Sequence, residues 1–371
     1  MNILIFNWRD IKHPKAGGAE IVTMVHAKSW IKAGHSVVWF SPKFKKAKDM
    51  EVIDEIRIIR KGNKLSVYFW APLFYLFSGQ KFDIVIDQIH GIPFFTPFFV
   101  RKPKIAFIHE TAKELWDYME PFPINTIGKF IEPIYFMFYK RIIFWTPSDS
   151  TIKDLMLQRI DKKNCIKILC GINNKTLTVP VKKGNKPIFI FVSRLVKMKG
   201  IEEVIDSFSA IRRERTESVL WIVGGGERPY INLLKRKVKN LNLQKSITFF
   251  GFVPEKKKLE LMRNANVLLH ASVKEGWGLV IIEAASQSTP SIVYNVAGLN
   301  ESVINNKTGV VIRENTPEEL AKQAIKLFED KTRYQRFQKN GLEWARSLKW
   351  KDSTDESLKL LNDISNQGVK A

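Results

Sequence analysis

Two basic side chains lie five residues apart in a short segment that ends in glycine. Arg194 and Lys199 belong to residues 193–200, which directly follow the apolar run at residues 188–192. Such a loop suits a diphosphate, because a diphosphate needs compact positive charge and hydrogen-bond donors. The competing interpretation is an exposed basic loop in a basic protein, and Lys197 fits that interpretation.

A second segment combines two glutamates with closely spaced glycines. Seven residues separate Glu275 from Glu283, a spacing that chance alone provides in a chain with this many glutamates. The context is more specific, because Gly276 and Gly278 bracket Trp277 and let the backbone approach a ligand before a predicted helix begins. The first amides of that helix would point at the ligand. They belong to Gly278, Leu279 and Val280.

Glu283 is more than a turn inside this predicted helix, on an otherwise apolar face. A buried carboxylate needs a partner, and the hydroxyl groups of a ligand would supply one. The alternative is a capped amphipathic helix in which Glu283 forms a salt bridge within the protein.

Two weaker candidates lie in the first half of the chain. Gly17 and Gly18 fall between a predicted strand and a predicted helix, where they would allow close approach of an anion, although a plain tight turn fits equally well. His109 ends the apolar run at residues 104–109, and at the carboxyl end of a strand it could bind a hydroxyl group or transfer a proton. A lone histidine is more often structural.

Short apolar runs alternate with helical patterns along nearly the whole chain, which predicts parallel sheets covered on both faces. The predicted strands are residues 2–6, 36–40, 83–87, 104–109, 141–146, 166–169, 188–192, 219–223, 247–250, 267–270, 291–294 and 309–312. The predicted helices include residues 19–33, 152–158, 201–213 and 279–287, and a helical tail covers residues 318–366.

The alternation lapses between residues 173 and 187, where lysines, asparagines, glycine and prolines predict a linker. The fold class is therefore α/β, with two doubly wound, Rossmann-like domains that face each other across a cleft. Ligands of open parallel sheets bind outside the carboxyl ends of the strands. The loops singled out above all follow predicted strands.

Composition narrows the class of protein. The chain has 371 residues, of which 60 are Lys or Arg and 37 Asp or Glu, and its net charge is +23. A hydrophobic content of 45% is enough for large cores, and two cysteines exclude a disulfide scaffold and favour a reducing, cytoplasmic compartment. The uncharged, largely apolar stretch at residues 65–80 is too short to span a bilayer. The excess charge fits solvated helix and loop faces. If it binds a partner, it favours an anionic membrane surface over nucleic acid, for which no motif is found.

The ordered set of motifs resembles glycosyltransferase family 4, a large family of retaining, nucleotide-sugar-dependent enzymes with the GT-B fold. The resemblance covers nearly the whole chain. The segments that carry it are Gly17-Gly18-Ala19-Glu20, Ser193-Arg194-Leu195, Lys199-Gly200, Gly224-Gly225-Gly226-Glu227, Phe250-Gly251-Phe252-Val253-Pro254 and Glu275-Gly276-Trp277-Gly278-Leu279 with Glu283-Ala284.

The resemblance implies a role for each matching residue. Arg194 and Lys199 would hold the diphosphate of a nucleotide sugar together with the amides of residues 278–280. Glu275 would bind the hydroxyls of the transferred sugar, and Glu283 those of the ribose. The remaining implied donor contacts are Gly17, Gly18, Phe252, Val253, Gly276 and Trp277. The implied catalytic residues are His109, Arg194, Lys199 and Glu275.

Family members usually retain the anomeric configuration, and a front-face displacement without an enzymic nucleophile is favoured. No D-x-D motif occurs in the sequence, so we expect no metal and no cofactor beyond the nucleotide-sugar co-substrate. The resemblance also predicts the domains: residues 1–180 with a C-terminal helix at 352–371 on the acceptor side, and residues 181–351 for the donor.

The expected function is transfer of a hexose-type sugar to a glycan acceptor, most simply a lipid-linked one at the inner face of the cell membrane. The membrane expectation rests on charge and on the aromatic residues of segments 65–77 and 124–145, which alternatively form ordinary core-facing helices. The alternatives are a sugar-nucleotide epimerase or phosphorylase of the same architecture, and a non-catalytic basic membrane-surface binding protein.

Overall fold

The computed structural model describes residues 1–172, 176–184 and 186–368. The chain divides into two compact units, which we call unit 1 (Met1–Gly171 with Lys349–Ala371) and unit 2 (Ile172–Leu348). The sequence-based boundaries lie at 180/181 and 351/352 instead. Hydrogen bonds from the Leu177 amide to the Ser286 carbonyl and from the Val181 amide to the Ser288 hydroxyl explain the first difference, because they attach the predicted linker to unit 2. The second arises because the last helix begins at Trp350, before the predicted start. Residues 173–175 and 185 of that linker lie outside the described residues.

The described part of unit 1 contains an eight-stranded sheet with the order β3-β4-β2-β1-β5-β6-β7-β8. Its strands are β1 (Asn2–Phe6), β2 (Ser36–Ser41), β3 (Met50–Ile53), β4 (Ile56–Arg60), β5 (Ile84–Ile89), β6 (Lys104–Ile108), β7 (Ile143–Thr146) and β8 (Cys165–Lys167). Neighbouring strands are parallel except β3, which pairs antiparallel with β4. The central strands are buried apolar runs, as expected for a parallel sheet covered on both faces.

Helices cover this sheet. They are α1 (Gly18–Lys32), α2 (Val67–Phe77), α3 (Trp116–Met119), α4 (Ile124–Phe138), α5 (Asp149–Leu157) and α13 (Trp350–Gly368). The last of these returns from the far end of the sequence and packs on α1, where His26 and the Trp30 indole both contact the Ser357 hydroxyl. The predicted end of this helix, residues 369–371, lies outside the described residues.

Unit 2 has a parallel sheet of six strands within the described ranges, in the order β11-β10-β9-β12-β13-β14. The strands are β9 (Ile188–Val192), β10 (Val219–Val223), β11 (Ile247–Gly251), β12 (Val267–His270), β13 (Ser291–Val293) and β14 (Gly309–Val311). The helices are α6 (Ile201–Glu214), α7 (Arg228–Asn240), α8 (Glu255–Asn264), α9 (Leu279–Ser286), α10 (Leu299–Ser302), α11 (Pro317–Glu329) and α12 (Lys331–Ser347). The predicted helical tail is thus three helices, α11, α12 and α13.

Strand order reverses once in each sheet. In unit 2 the chain proceeds outward from β9 through β10 to β11, then returns to β12 on the other side of β9. In unit 1 the same reversal lies between β1 and β5. Crevices at the carboxyl ends of strands at such switch points are the usual ligand sites of doubly wound sheets. No helix among the described residues is long and apolar enough to cross a bilayer.

Candidate functional site

The switch point of unit 2 brings together the two loops that the sequence singled out. Residues 193–200 follow β9 and residues 271–278 follow β12, and these two strands are adjacent and parallel. The first loop turns closely against the second at Gly200, which has φ of 69°. A Cβ at Gly200 would lie 1.9 Å from the Ala271 carbonyl oxygen, so only glycine fits there.

Lys199 and Glu275 meet at this point. Lys199 Nζ donates to Glu275 Oε1 at 2.7 Å, and the two side chains are only 12% and 14% exposed. Arg194, from the same loop, is exposed and has no ion pair with any described residue. Two of the predicted catalytic residues therefore form an enclosed pair, and a third, in the same loop as Lys199, is an exposed cation.

The carboxylate of Glu275 is held ionised by its neighbours. Burial alone would raise its pKa, but the Lys199 ammonium, with the Ser272 hydroxyl, brings the pKa below its ordinary value. His270 is fully buried, and burial lowers its pKa to about 4, so the imidazole is neutral at neutral pH. His270 Nε2 lies 3.8 Å from Glu275 Oε1.

The backbone of Glu275 is fixed as tightly as its side chain. Its N–H donates to the Ala297 carbonyl at 3.0 Å. The next residue, Gly298, has φ of 78°, and a Cβ there would lie 2.1 Å from the Glu275 carbonyl oxygen. The segment between β13 and α10 therefore orients Glu275, a contribution that the sequence patterns did not reveal.

Helix α9 begins next to this pair. Gly278 caps it with φ of 75°, Leu279 and Val280 are partly exposed, and Gly276 and Trp277 are buried. Its first amides carry the positive end of the helix dipole, which favours an anion. No described residue accepts a hydrogen bond from the buried Trp277 Nε1.

Glu283 has a protein partner, the alternative that the sequence left open. Lys258 Nζ, from α8, lies 2.7 Å from Glu283 Oε2 and 2.9 Å from Glu255 Oε2. Burial raises the pKa of Glu283, and Lys258 opposes that rise. The segment before α8 is more open, because Phe252 is exposed and Val253 half-buried. Lys258 is a site residue that sequence reasoning missed.

The predicted residues of unit 1 lie at its own switch point and beside it. Gly17 caps α1, and its N–H donates to Glu20 Oε2 at 2.6 Å. This backbone amide, which the sequence analysis considered for binding an anion, is therefore already hydrogen-bonded within the protein. Gly18 is the first residue of the helix. This turn is thus closed by its own glutamate.

His109 follows β6 and contacts a chain of side chains that crosses the switch point. Asn7 Nδ2 donates to Gln88 Oε1 at 2.6 Å, and Gln88 Nε2 lies 3.4 Å from His109 Nε2. The His109 ring stacks on His90 and lies tilted against Phe107, and burial lowers its pKa to about 4. His109 is therefore a neutral, oriented imidazole, and Asn7 and Gln88 are partners that the sequence did not indicate.

No three metal-ligating side chains cluster within the described ranges. Both cysteines are free thiols, with Cys170 buried and Cys165 half-buried.

Comparison with known proteins identifies the family of the chain. The family "Glycosyltransferase Family 4" matches residues 16–175, and "Glycosyl transferases group 1" matches residues 174–344. The chain is 24% identical to an uncharacterized glycosyltransferase of Methanocaldococcus jannaschii, over 90% of this chain and 91% of that protein.

A better characterised relative covers less. The GDP-mannose-dependent alpha-(1-6)-phosphatidylinositol monomannoside mannosyltransferase of Mycobacterium tuberculosis is 29% identical, over 46% of each chain, so the match spans about half of that protein. Among solved structures, sucrose-phosphate synthase from Thermosynechococcus elongatus superposes with a TM-score of 0.79 at 20% identity, over 98% of each chain, which shows a shared fold. Since the two family models together match residues 16–344, the chain belongs to the GT-B glycosyltransferases of family 4.

Proposed function

We propose that this glycosyltransferase moves a hexose-type sugar from a nucleotide-diphosphate sugar to a lipid-linked glycan acceptor, with retention of anomeric configuration. The observation that carries the proposal is the Lys199–Glu275 pair at the switch point of unit 2. It sets a cation for phosphate and a carboxylate for sugar hydroxyls side by side, next to the amino end of α9.

The donor's parts match separate groups of unit 2. Arg194, Lys199 and the first amides of α9 take the diphosphate, and Glu275 takes the hydroxyls of the sugar. Glu283 takes the ribose, because a carboxylate paired with Lys258 through Oε2 can still accept from a hydroxyl. The base lies against residues 252–253. The match to a GDP-mannose-dependent relative supports a nucleotide sugar as donor.

In the proposed reaction the bond between the anomeric carbon and the diphosphate oxygen breaks. The acceptor oxygen bonds to the same face of that carbon, and its proton passes to the departing phosphate. Arg194 and Lys199 stabilise the charge that develops on the leaving group, which is where fixed cations lower a barrier most. The absence of a D-x-D motif in the sequence supports a metal-independent reaction. His109, at the carboxyl edge of unit 1, is the acceptor-side candidate for binding hydroxyls.

A donor panel tests the proposal. Purified protein is incubated with UDP- and GDP-hexoses and a polyprenyl- or phosphatidylinositol-linked acceptor, and products are identified by mass spectrometry.

Variants of the loop after β9 test the role of its cations. Arg194→Ala should lower kcat by about 10²–10³. Lys197→Ala removes another exposed cation of the same loop and should leave kcat unchanged. Isomerised donor in the absence of acceptor would instead identify an epimerase. Unchanged function in both Arg194→Ala and Glu275→Ala would identify a binding protein.

The lipid-linked acceptor is supported by an exposed apolar surface on unit 1. Helix α4 has a buried face and an opposite face of large apolar side chains, of which Phe130 is 74% exposed. The other members of that exposed face are Ile124, Ile127, Ile131, Ile134, Met137 and Phe138. Soluble surfaces rarely carry such a stripe, whereas helices that lie in a membrane interface do.

This stripe continues beyond α4. The Phe98 ring, also exposed, lies 4.7 Å from that of Phe138. Elsewhere on unit 1, helix α2 also exposes Phe69 and Phe77. Lys140 and Arg141 follow directly on α4, where they can pair with anionic head groups.

Flotation with vesicles of phosphatidylcholine and phosphatidylglycerol tests this surface. The wild type should float with anionic vesicles at low salt. The double variant Phe130→Ser/Ile134→Ser should stay at the bottom, while Leu157→Ser, which removes an equally exposed apolar side chain from α5, should float. No binding by the wild type would remove the membrane part of the proposal and leave the donor chemistry standing.

A further inference from the structure

His270, the buried histidine close to Glu275, has a defined tautomer. The Ser272 backbone N–H donates to His270 Nδ1 at 3.3 Å. A backbone N–H can only donate, so Nδ1 accepts, and the neutral ring carries its proton on Nε2. Since burial keeps the imidazole neutral, Nε2–H is a fixed donor.

This Nε2–H group lacks a hydrogen-bond partner among the described residues. His270 is fully buried, and no described residue accepts a hydrogen bond from its Nε2. A buried donor without an acceptor is costly, so its retention calls for an explanation. Glu275 Oε1 lies 3.8 Å from this nitrogen, beyond hydrogen-bond distance.

The same oxygen is held by another donor. Lys199 Nζ contacts Glu275 Oε1 at 2.7 Å, so Lys199 and His270 compete for one carboxylate oxygen. Lys199 lies on the loop after β9, and His270 is the last residue of the adjacent β12. One donor is on a flexible side chain and the other is on a ring packed inside the sheet, 5.6 Å from the Phe191 ring.

We propose that His270 is a positioning residue for Glu275. When the nucleotide sugar binds, the hydrogen bond that Glu275 Oε1 accepts from Lys199 is replaced by one from His270. Lys199 leaves Glu275 Oε1 for the diphosphate, and Oε1 then moves by about 1 Å to accept from His270 Nε2–H. Glu275 stays ionised and oriented through Oε1, and Oε2 is left for the hydroxyls of the sugar. Only the trigger of the exchange, which is binding of the nucleotide sugar, rests on the proposed function. The competition between Lys199 and His270 for Glu275 Oε1 involves groups of the protein alone.

Removing Lys199 tests the competition without any ligand. In Lys199→Met the Nε2–H proton of His270, observed by ¹H–¹⁵N NMR of the imidazole, should move downfield as it bonds to Glu275. Lys197→Met is the matched control and should leave the signal in place. His270→Asn assigns the signal by deleting it, because the Asn amide oxygen can still accept from Ser272. If Lys199→Met does not fold, Lys199→Ala replaces it.

Adding UDP or GDP to the wild type tests the trigger. Binding of either nucleotide should produce the same downfield shift as Lys199→Met. A nucleotide that binds without moving the signal would overturn the exchange, as would an unmoved signal in the Lys199 variant. Failure of every nucleotide to bind would contradict the proposed function instead, and the Lys199 variant would still decide the competition.

Discussion

The side chains of Lys199 and Glu275 are joined at 2.7 Å although the two residues are 76 positions apart in the sequence. Their meeting follows from sheet topology, because β9 and β12 are neighbours at the switch point and each residue lies in the loop after its strand. Both side chains are largely withdrawn from water. In such an enclosed pair, each charge depends on the other for compensation.

We therefore expect the pair to be energetically coupled. Lys199→Met should lower the free energy of unfolding by about 2 kcal/mol, since it leaves Glu275 without its main counter-charge. Adding Glu275→Gln should recover part of that loss. Urea unfolding of the two single variants and the double variant measures the coupling, and Lys197→Met should remain within about 0.5 kcal/mol of the wild type. A double variant whose loss equals the sum of the single losses would contradict the coupling.

The two glutamates of the motif should respond to pH with opposite signs. The pKa of Glu275 lies below its ordinary value of 4.5, so its ionisation stabilises the fold above that pH, and this contribution is lost as the pH falls. The pKa of Glu283 is raised, so its contribution is fully present below 4.5 and is lost as the pH rises.

Unfolding free energies of the wild type, Glu275→Gln and Glu283→Gln, measured between pH 3 and 7, test these signs. The advantage of the wild type over Glu275→Gln should grow as the pH rises. Its advantage over Glu283→Gln should shrink over the same range. Parallel slopes for the two comparisons would refute the different environments of the two carboxylates.

Sequence patterns predicted the strands of unit 2 well, because a parallel strand that is buried on both faces is a continuous apolar run. Residues 188–192, 219–223 and 267–270 match the observed strands at both ends. Strands β3 and β4 were missed. Their runs contain charged residues such as Arg60, whose charge is compensated by Asp10 and Glu51 at 2.6 Å each, and no local pattern signals partners so distant in the chain.

The same distinction applies to the candidate site. Arg194, Lys199 and Glu275 were identifiable because each lies within a compact loop of glycines and charges directly after an apolar strand. Lys258 and His270 were not assigned to the site from the sequence. A lysine on a polar helix and a histidine at the end of a strand give no sign of a function unless their partners in the folded chain, Glu283 and Glu275, are known. Gly298 is required by the carbonyl of Glu275, a contact that only the folded chain contains.

That contact makes Gly298 a sensitive position. Gly298→Ala would add both the strain of a left-handed backbone, about 1–2 kcal/mol, and a clash with the Glu275 carbonyl oxygen. Gly251→Ala is the matched control in the same unit, because Gly251 also has positive φ but no atom within 4 Å of a Cβ. Gly298→Ala should therefore lose clearly more stability in urea unfolding, and it should weaken donor binding in calorimetry. Equal losses for the two variants would show that the clash is relieved at no cost.

Helix α4 should depend on one buried carboxylate. Glu132 accepts hydrogen bonds from the Ala112 and Lys113 amides and from the Trp116 indole, at 2.7–2.9 Å. Glu132→Gln would set an amide donor against these donors and should lower the free energy of unfolding by about 2–3 kcal/mol.

Asp117→Asn is the natural comparison for Glu132→Gln, because Asp117 is a nearby carboxylate whose pair with Lys129 is exposed. It should leave the urea midpoint almost unchanged, since exposed pairs contribute little. If Glu132 anchors α4 under its exposed apolar face, Glu132→Gln should also increase proteolytic cleavage within residues 116–138 and weaken vesicle flotation, while Asp117→Asn alters neither. A Glu132→Gln variant that is as stable and as protease-resistant as the wild type would mean that α4 is held by its apolar contacts alone.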